Sequence, residues 1–286
     1  MTYSDHRYPS ADGRLQLFAR DYGGEGPPLL LMHGLTRNSA DFEPLAAHLA
    51  PRYRLVVPDQ RGRGLSDSDP EPANYRPDLY AQDMFALLGS LGIDRCGLIG
   101  TSMGGLMAMI MAAMQPARVS AVVLNDIGPE LDPKGLARIA GYVGGSDGFA
   151  DWDAAAKACA SVNKSAFRNF GHDDWLAFAR RTCREGADGR IEFAYDPAIS
   201  KGFEGEGEIA PPDLWPLWDA LGLIPVLAIR GAVSDLLSPA TLSAMALRHD
   251  GPFASVEVLE RGHAPLLDEP EALASIEHFL GKYWPA

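Results

Sequence analysis

Short apolar runs alternate with longer helical patterns along most of this 286-residue chain, and that alternation constrains the fold more than any other feature. Residues 14–22 alternate apolar and polar side chains, as a half-exposed strand does. Six further strand-like runs occupy residues 29–32, 53–57, 96–99, 119–124, 225–229 and 254–259. Continuous apolar strands are typical of a sheet covered on both faces, and strands separated by helices run parallel. The pattern predicts an α/β fold with a mostly parallel central sheet and helices on both faces.

Helical patterns fill the intervals between these strands, at residues 41–50, 76–91, 103–114 and 269–284. The alternation stops after Asp126, and residues 128–218 contain no convincing buried strand. A structureless loop of that length is implausible in a compact domain. We therefore expect an inserted helical cap at 128–218, with helices near 133–142, 151–163 and 173–184, on an α/β core formed by residues 1–127 and 219–286.

Charge and composition argue against several classes of function. Lys plus Arg number 25 against 38 Asp plus Glu, a net charge of −13, which disfavours binding to nucleic acid or to an anionic membrane. The longest apolar run, residues 106–114, is shorter than the roughly 20 residues of a membrane-spanning helix, and residues 1–7 lack a signal-peptide core. Three widely spaced cysteines, Cys96, Cys159 and Cys183, suggest neither a disulfide framework nor a zinc site. We expect a cytoplasmic protein.

The strongest local signal is the pentapeptide Gly100-Thr101-Ser102-Met103-Gly104, which follows an apolar strand and opens a helix. A nucleophilic serine must project from the sheet edge on a sharp turn, and the crowded backbone there requires small residues two positions before and after it. The N-terminus of the following helix offers N–H groups and a positive dipole end to a developing oxyanion. The alternative is a tight turn with a helix-capping serine; we favour Ser102 as a nucleophile.

A serine nucleophile needs a general base, and a carboxylate that orients this base. His263 follows the last predicted strand, at the carboxyl edge where the sites of open α/β sheets form, and we predict it to be the base. Asp235 follows the strand at 225–229, and Asp126 is its competitor after the strand at 119–124. We favour Asp235, which gives the chain order Ser102, Asp235, His263 of a hydrolase with a nucleophile elbow.

Taken together, these motifs resemble those of α/β-hydrolase-fold proteins with a serine nucleophile and a helical cap. Four features occur in order over nearly the whole chain: His33-Gly34, the Asp59-x-Arg61-Gly62-x-Gly64-x-Ser66 loop, the Gly-x-Ser-x-Gly elbow and Gly262-His263. The resemblance implies an oxyanion hole made by the N–H groups of Leu35 and Met103. It also implies a structural turn at residues 61–64, in which we expect Arg61 to pair with a buried carboxylate.

Four further side chains are candidates for contact with a substrate: His33, Arg37, Trp215 and Trp218. Each has a plainer alternative, which is orientation of the oxyanion loop for His33, a solvated loop for Arg37, and packing of the cap for the tryptophans. A long apolar tunnel above Ser102 would indicate acyl-chain substrates, whereas a pocket with a buried Arg or Lys would indicate an acidic substrate.

The resemblance implies a serine hydrolase that cleaves a small carboxylic ester or related acyl compound through an acyl-enzyme. A C–C bond hydrolase or a lactonase with the same triad stays open as an alternative, and a non-catalytic ligand-binding protein is a more distant one. A peptidase acting on a substrate amine would need cap carboxylates, for which Glu204, Glu206 and Glu208 are candidates. Motifs for nucleotide cofactors or catalytic zinc do not occur, so we expect no cofactor or metal. The expected partner is a small-molecule acyl substrate, and assembly as a homodimer is left open.

Overall fold

The computed structural model describes residues 2–144, 148–203 and 213–286. The strands in these residues are β1 (Ser4–Pro9), β2 (Gln16–Asp21), β3 (Pro28–Met32), β4 (Arg54–Asp59), β5 (Cys96–Thr101), β6 (Val119–Asn125), β7 (Cys183–Glu185), β8 (Ile191–Phe193), β9 (Val226–Gly231) and β10 (Phe253–Val258). The α-helices are α1 (Glu43–Leu49), α2 (Pro77–Ser90), α3 (Met103–Met114), α4 (Pro133–Ala140), α5 (Trp152–Asn163), α6 (His172–Thr182), α7 (Trp215–Asp219), α8 (Pro239–Arg248) and α9 (Pro270–Tyr283). None of the helices in the described residues is long and apolar enough to cross a membrane.

Eight of the strands form one sheet in the order β1-β2-β4-β3-β5-β6-β9-β10. The six strands from β4 to β10 in that order run parallel, whereas β1 and β2 are antiparallel to their neighbours. The predicted mostly parallel sheet is therefore confirmed. Strand β1 adds an edge that the sequence pattern did not predict.

Helices cover both faces of this sheet because consecutive strand residues point to opposite sides. In β3, Leu30 and Met32 pack in a cluster with α2 and α3, whereas Leu29 and Leu31 pack in a second cluster with α1 and α9. Strand β3 is thus apolar at every position because each of its faces is covered, as the sequence predicts.

The segment between β6 and β9, residues 128–218, contains the helices expected near 133–142, 151–163 and 173–184 as α4, α5 and α6. It also contains a β7–β8 hairpin that the sequence pattern did not predict. Helices α5 and α6 and the hairpin share an apolar cluster that includes Phe167, Trp175 and Phe178. Glu204, Glu206 and Glu208, the carboxylates considered for amine binding, lie outside the described residues.

Candidate active site

Ser102 occupies a strained turn between β5 and α3, with a positive φ of 52°. The turn leaves no room for a side chain at the positions two residues before and two residues after Ser102. A Cβ on Gly104 would lie 2.0 Å from the Met32 carbonyl oxygen, and one on Gly100 would lie 2.3 Å from the Gly104 carbonyl oxygen. The Ser102 N–H donates to the Asn125 carbonyl at 2.9 Å, which ties the turn to β6. The predicted need for small residues around Ser102 is confirmed, and strain of this kind persists only where the surrounding structure enforces it.

The His263 imidazole meets the hydroxyl of Ser102, with 2.8 Å between Nε2 and Oγ. His263 follows β10 in a loop at the carboxyl edge of the sheet and is 9% exposed. Its other nitrogen, Nδ1, lies 2.8 Å from Oδ2 of Asp126. Because a carboxylate only accepts hydrogen bonds, Nδ1 carries the proton and Nε2 is free to accept the Ser102 proton. The arrangement provides a serine hydroxyl with a base in place.

Asp126, directly after β6, is fully buried and has a positive φ of 56°. Three donors surround its carboxylate. The Gly231 N–H donates to Oδ1 at 2.8 Å, while the hydroxyl of Ser234 at 2.6 Å and Nδ1 of His263 share Oδ2. Three donors on one carboxylate hold it in a fixed orientation beside the imidazole. Asp126 is therefore suited to orient the imidazole and to stabilise its protonated form.

The prediction that Asp235 contacts the base is wrong. Its carboxylate binds the guanidinium of Arg138 on α4, with Nε at 2.6 Å and Nη2 at 2.8 Å. The hydrogen bonds from Arg138 lower the pKa of Asp235 despite its partial burial. Strands β6 and β9 are parallel neighbours, so the residues that follow them reach the same edge of the sheet. Asp126, the competitor in the sequence, occupies the position beside His263.

The segment that begins at His33 is held by buried polar side chains. The His33 Nδ1 donates to the Gly34 carbonyl at 2.7 Å, and the Gln60 N–H donates to His33 Nε2 at 3.2 Å. Burial lowers the pKa of His33 to about 3, so the ring is neutral. Nε of Arg63 donates to the Leu35 carbonyl at 2.9 Å, which fixes the peptide next to the nucleophile. The contact of His33 with substrate is thus not supported, since both ring nitrogens serve the loop and the ring is fully buried.

A cavity of about 120 Å³ opens above Ser102, between the core and the inserted segment. Its core wall includes Leu35, Arg37 and His263, and its opposite wall includes Tyr142 and Phe178. Met103 is the first residue of α3, where backbone N–H groups have no partner within the helix. Met103 directly follows Ser102, and Leu35 lines the cavity above Ser102.

The two tryptophans, predicted as candidates for contact with a substrate, do not line this cavity. Trp218 is fully buried, with its ring 5.3 Å from that of His249 and 6.0 Å from that of Phe253. Trp215 donates from Nε1 to Glu130 at 2.8 Å. Both side chains serve packing, which is the plainer alternative. Over the described residues, there is no cluster of three or more His, Cys, Asp or Glu side chains that could hold a metal ion.

Comparison with known proteins identifies the family to which the chain belongs. The family model for the alpha/beta hydrolase fold matches residues 27–210. The chain belongs to the α/β-hydrolase family. A 3-hydroxybutyrate-oligomer hydrolase of Cupriavidus necator is 32% identical to this α/β hydrolase, over 95% of this chain and 94% of the relative. A 2-(acetamidomethylene)succinate hydrolase of Mesorhizobium japonicum is 33% identical, over 85% and 84% of the two chains.

A solved α/β hydrolase of Novosphingobium aromaticivorans superimposes with a TM-score of 0.90 at 45% identity, and the match covers 97% of this chain and 98% of that one. The fold predicted from the motifs is thus confirmed, and the protein is an enzyme of the hydrolase class. Ser234 binds Asp126 and Arg138 binds Asp235, and neither contact was predicted from the sequence. No motif marks either residue, and only the juxtaposition of distant segments reveals them.

Proposed function

We propose that this α/β hydrolase cleaves a small carboxylic ester or related acyl compound through an acyl-enzyme. The observation that carries the proposal is the continuous line of hydrogen bonds from Ser102 through His263 to Asp126, with both links at 2.8 Å. A serine is a weak nucleophile until an adjacent base removes its proton, and the base works only in the tautomer that the carboxylate maintains. The cavity above Ser102 provides space for the acyl group.

In this mechanism, Ser102 Oγ attacks the substrate carbonyl while Nε2 of His263 takes the proton. Asp126 holds the ring and stabilises the imidazolium. The N–H groups of Leu35 and Met103 stabilise the negative charge on the carbonyl oxygen, and loss of one such donor raises the barrier by about 3 kcal/mol. His263 then donates its proton to the leaving alcohol. A water that His263 deprotonates attacks the acyl-enzyme and releases the acid.

A fluorophosphonate probe tests this proposal directly, because it phosphonylates a serine only when a base activates the hydroxyl. We expect one equivalent of label on Ser102, located by peptide mass spectrometry, and no label on the Ser102→Ala variant. Labelling of another serine, or of none while the folded enzyme turns over esters, would contradict the proposal. A panel of p-nitrophenyl esters, lactones and vinylogous diketones then identifies the bond that is cleaved.

Ser234 offers a prediction about how the Asp126 carboxylate is positioned. The N–H groups of Leu236 and Leu237 both point at Ser234 Oγ at 3.2 Å, so the hydroxyl proton is left for Asp126. Ser234→Ala removes one hydrogen bond to a charged group, and we expect kcat/KM to fall about tenfold. Ser234→Thr keeps the hydroxyl and should restore most of the activity.

Ser238→Ala is the matched control for this experiment. Ser238 lies in the same loop but accepts a hydrogen bond from the Thr241 N–H at 2.9 Å and caps α8. Loss of such a cap lowers the free energy of unfolding by about 1 kcal/mol, and kcat/KM should stay unchanged. Equal losses of kcat/KM in the Ser234→Ala and Ser238→Ala variants would mean that Ser234 acts only through the stability of the loop.

A further inference from the structure

Arg37 is the sole Lys or Arg side chain among the residues that line the cavity above Ser102. It lies close to the nucleophile: a Cβ placed on Gly34 would be 3.7 Å from both Arg37 Cγ and Ser102 Cβ. The Arg37 stem and the nucleophile therefore face each other across Gly34. A group of the substrate that contacts Arg37 would sit within one small molecule's length of the reacting carbonyl.

Two neighbours fix the orientation of the Arg37 guanidinium. Its Nε donates to Asp41 at 2.7 Å, and its Nη2 donates to the other oxygen of the same carboxylate. One face of the guanidinium lies over the Phe178 ring, with 3.9 Å from Cζ to the ring centroid. The side chains of Arg37 and Asp41 are each 14% exposed. Nη1 makes no hydrogen bond to any residue that the structure describes, which leaves one edge of the guanidinium for a ligand in the cavity.

The chemistry of this edge favours an anion. Hydrogen bonds between a guanidinium and a carboxylate are about twice as strong as neutral ones, and a cavity with aromatic walls strengthens them by excluding water. Without a ligand, Asp41 compensates the charge of Arg37, since a largely buried charge without a partner is unfavourable. With a ligand, Asp41 repels a second carboxylate and competes with it for Arg37. Asp41 thus holds Arg37 in place and at the same time limits the affinity of the site for an acidic ligand.

We propose that Arg37 determines specificity by binding a carboxylate of the substrate, so that the enzyme hydrolyses small esters, or related acyl compounds, whose acyl or alcohol part is itself an acid. This inference rests on the proposed serine-hydrolase function. The names of the two relatives agree with it, because 3-hydroxybutyrate and (acetamidomethylene)succinate are both carboxylates. Ser102 and Arg37 both line the cavity, so a small substrate can contact the two residues at once.

Matched pairs of substrates test the inference, with kcat/KM measured by titration of released acid. Monoethyl glutarate against ethyl pentanoate places the carboxylate on the acyl side, and 3-acetoxybutyrate against sec-butyl acetate places it on the alcohol side. We expect the acid to be preferred about tenfold in at least one pair, as one charge-assisted hydrogen bond implies. Equal rates, or preference for the neutral ester in both pairs, would overturn the inference.

Variants of Arg37 and Asp41 separate direct recognition from a structural effect. Arg37→Met should abolish the preference for the acid while neutral esters are still hydrolysed, and Asp41→Asn should increase the preference because the competing carboxylate is gone. The Arg37→Met/Asp41→Asn double variant leaves no unpaired charge and should behave as Arg37→Met does. An unchanged preference in the double variant, or a decrease in Asp41→Asn, would overturn the assignment.

Arg180→Met is the control for loss of a stacked arginine. Arg180 lies on α6 with Cζ 4.8 Å from the Trp152 ring centroid, but it does not line the cavity. We expect its preference between acid and neutral ester to equal that of the wild type. Failure of the proposed function would look different: Ser102 would not take the fluorophosphonate label, and none of the four esters would be hydrolysed.

Discussion

Replacing Asp126 by Asn is expected to lower kcat for ester hydrolysis by about 10⁴-fold, the loss seen when the carboxylate of a serine triad becomes an amide. An Asn side chain can turn its NH₂ group toward His263 Nδ1, which then accepts a hydrogen bond instead of donating one. Nε2 would carry the proton and could no longer accept one from Ser102. The steady-state kcat and the rate of fluorophosphonate labelling of Ser102 should both fall.

Asp235→Asn is the decisive comparison, because it tests the carboxylate that was favoured from the sequence. The Arg138–Asp235 pair has side chains 22% and 21% exposed, and pairs of this exposure contribute about 1 kcal/mol or less. We therefore expect a slight loss of stability and a kcat within about twofold of the wild type, since Asp235 does not touch the base. A larger loss of kcat in Asp235→Asn than in Asp126→Asn would restore the assignment made from the sequence and reject the proposed role of Asp126.

The contrast between these two aspartates shows where sequence reasoning stops. Each residue follows a buried strand, and the register of β6 on β9 brings Asn125 opposite Ile229. The strand pattern places both carboxylates at the same edge of the sheet, but it does not show which of them contacts His263. Arg138, nearly one hundred positions before Asp235, binds that carboxylate and leaves Asp126 as the partner of His263. Such pairing depends on how the inserted segment docks, which local pattern does not encode.

Other elements could be predicted where a physical constraint determines the residue types in a continuous stretch of sequence. Strand β3 is covered on both faces and so is apolar at every position, as in Leu29 to Met32. The Ser102 turn excludes all but small flanking residues, which gives it a recognisable motif. Strand β1, by contrast, pairs only with β2 at the sheet edge and leaves most side chains exposed. The β7–β8 hairpin has three residues a strand, too few for a periodic pattern.

Arg61 pairs with buried carboxylates, as the sequence predicts. Its Nε and Nη2 donate to Asp83 at 2.8 Å each, and its Nη1 donates to Asp69 at 2.8 Å. The side chains of all three residues are at most 1% exposed. Arg61→Met would leave two carboxylates in the interior without this cation. We expect the free energy of unfolding, measured with urea at pH 7, to fall by about 3–5 kcal/mol.

The pH dependence of that loss has a definite sign. Burial by itself raises the pKa of Asp83 even with Arg61 present, and removal of the cation raises it further. A folded-state pKa above the unfolded value means that the folded variant binds protons more readily, so its deficit relative to the wild type shrinks as the pH falls toward 4. A deficit that grows on acidification would show that the carboxylates find other partners.

Arg14→Met is the matched control, because Arg14 also contacts Asp69, at 3.1 Å, but from a side chain that is 45% exposed. Water solvates the guanidinium of Arg14 in the folded and unfolded states alike, so little is gained by the pair. Its removal should lower the free energy of unfolding by only a small fraction of the loss in Arg61→Met. Equal losses would mean that the number of ion pairs on Asp69, and not the burial of Arg61, sets the stability of this turn.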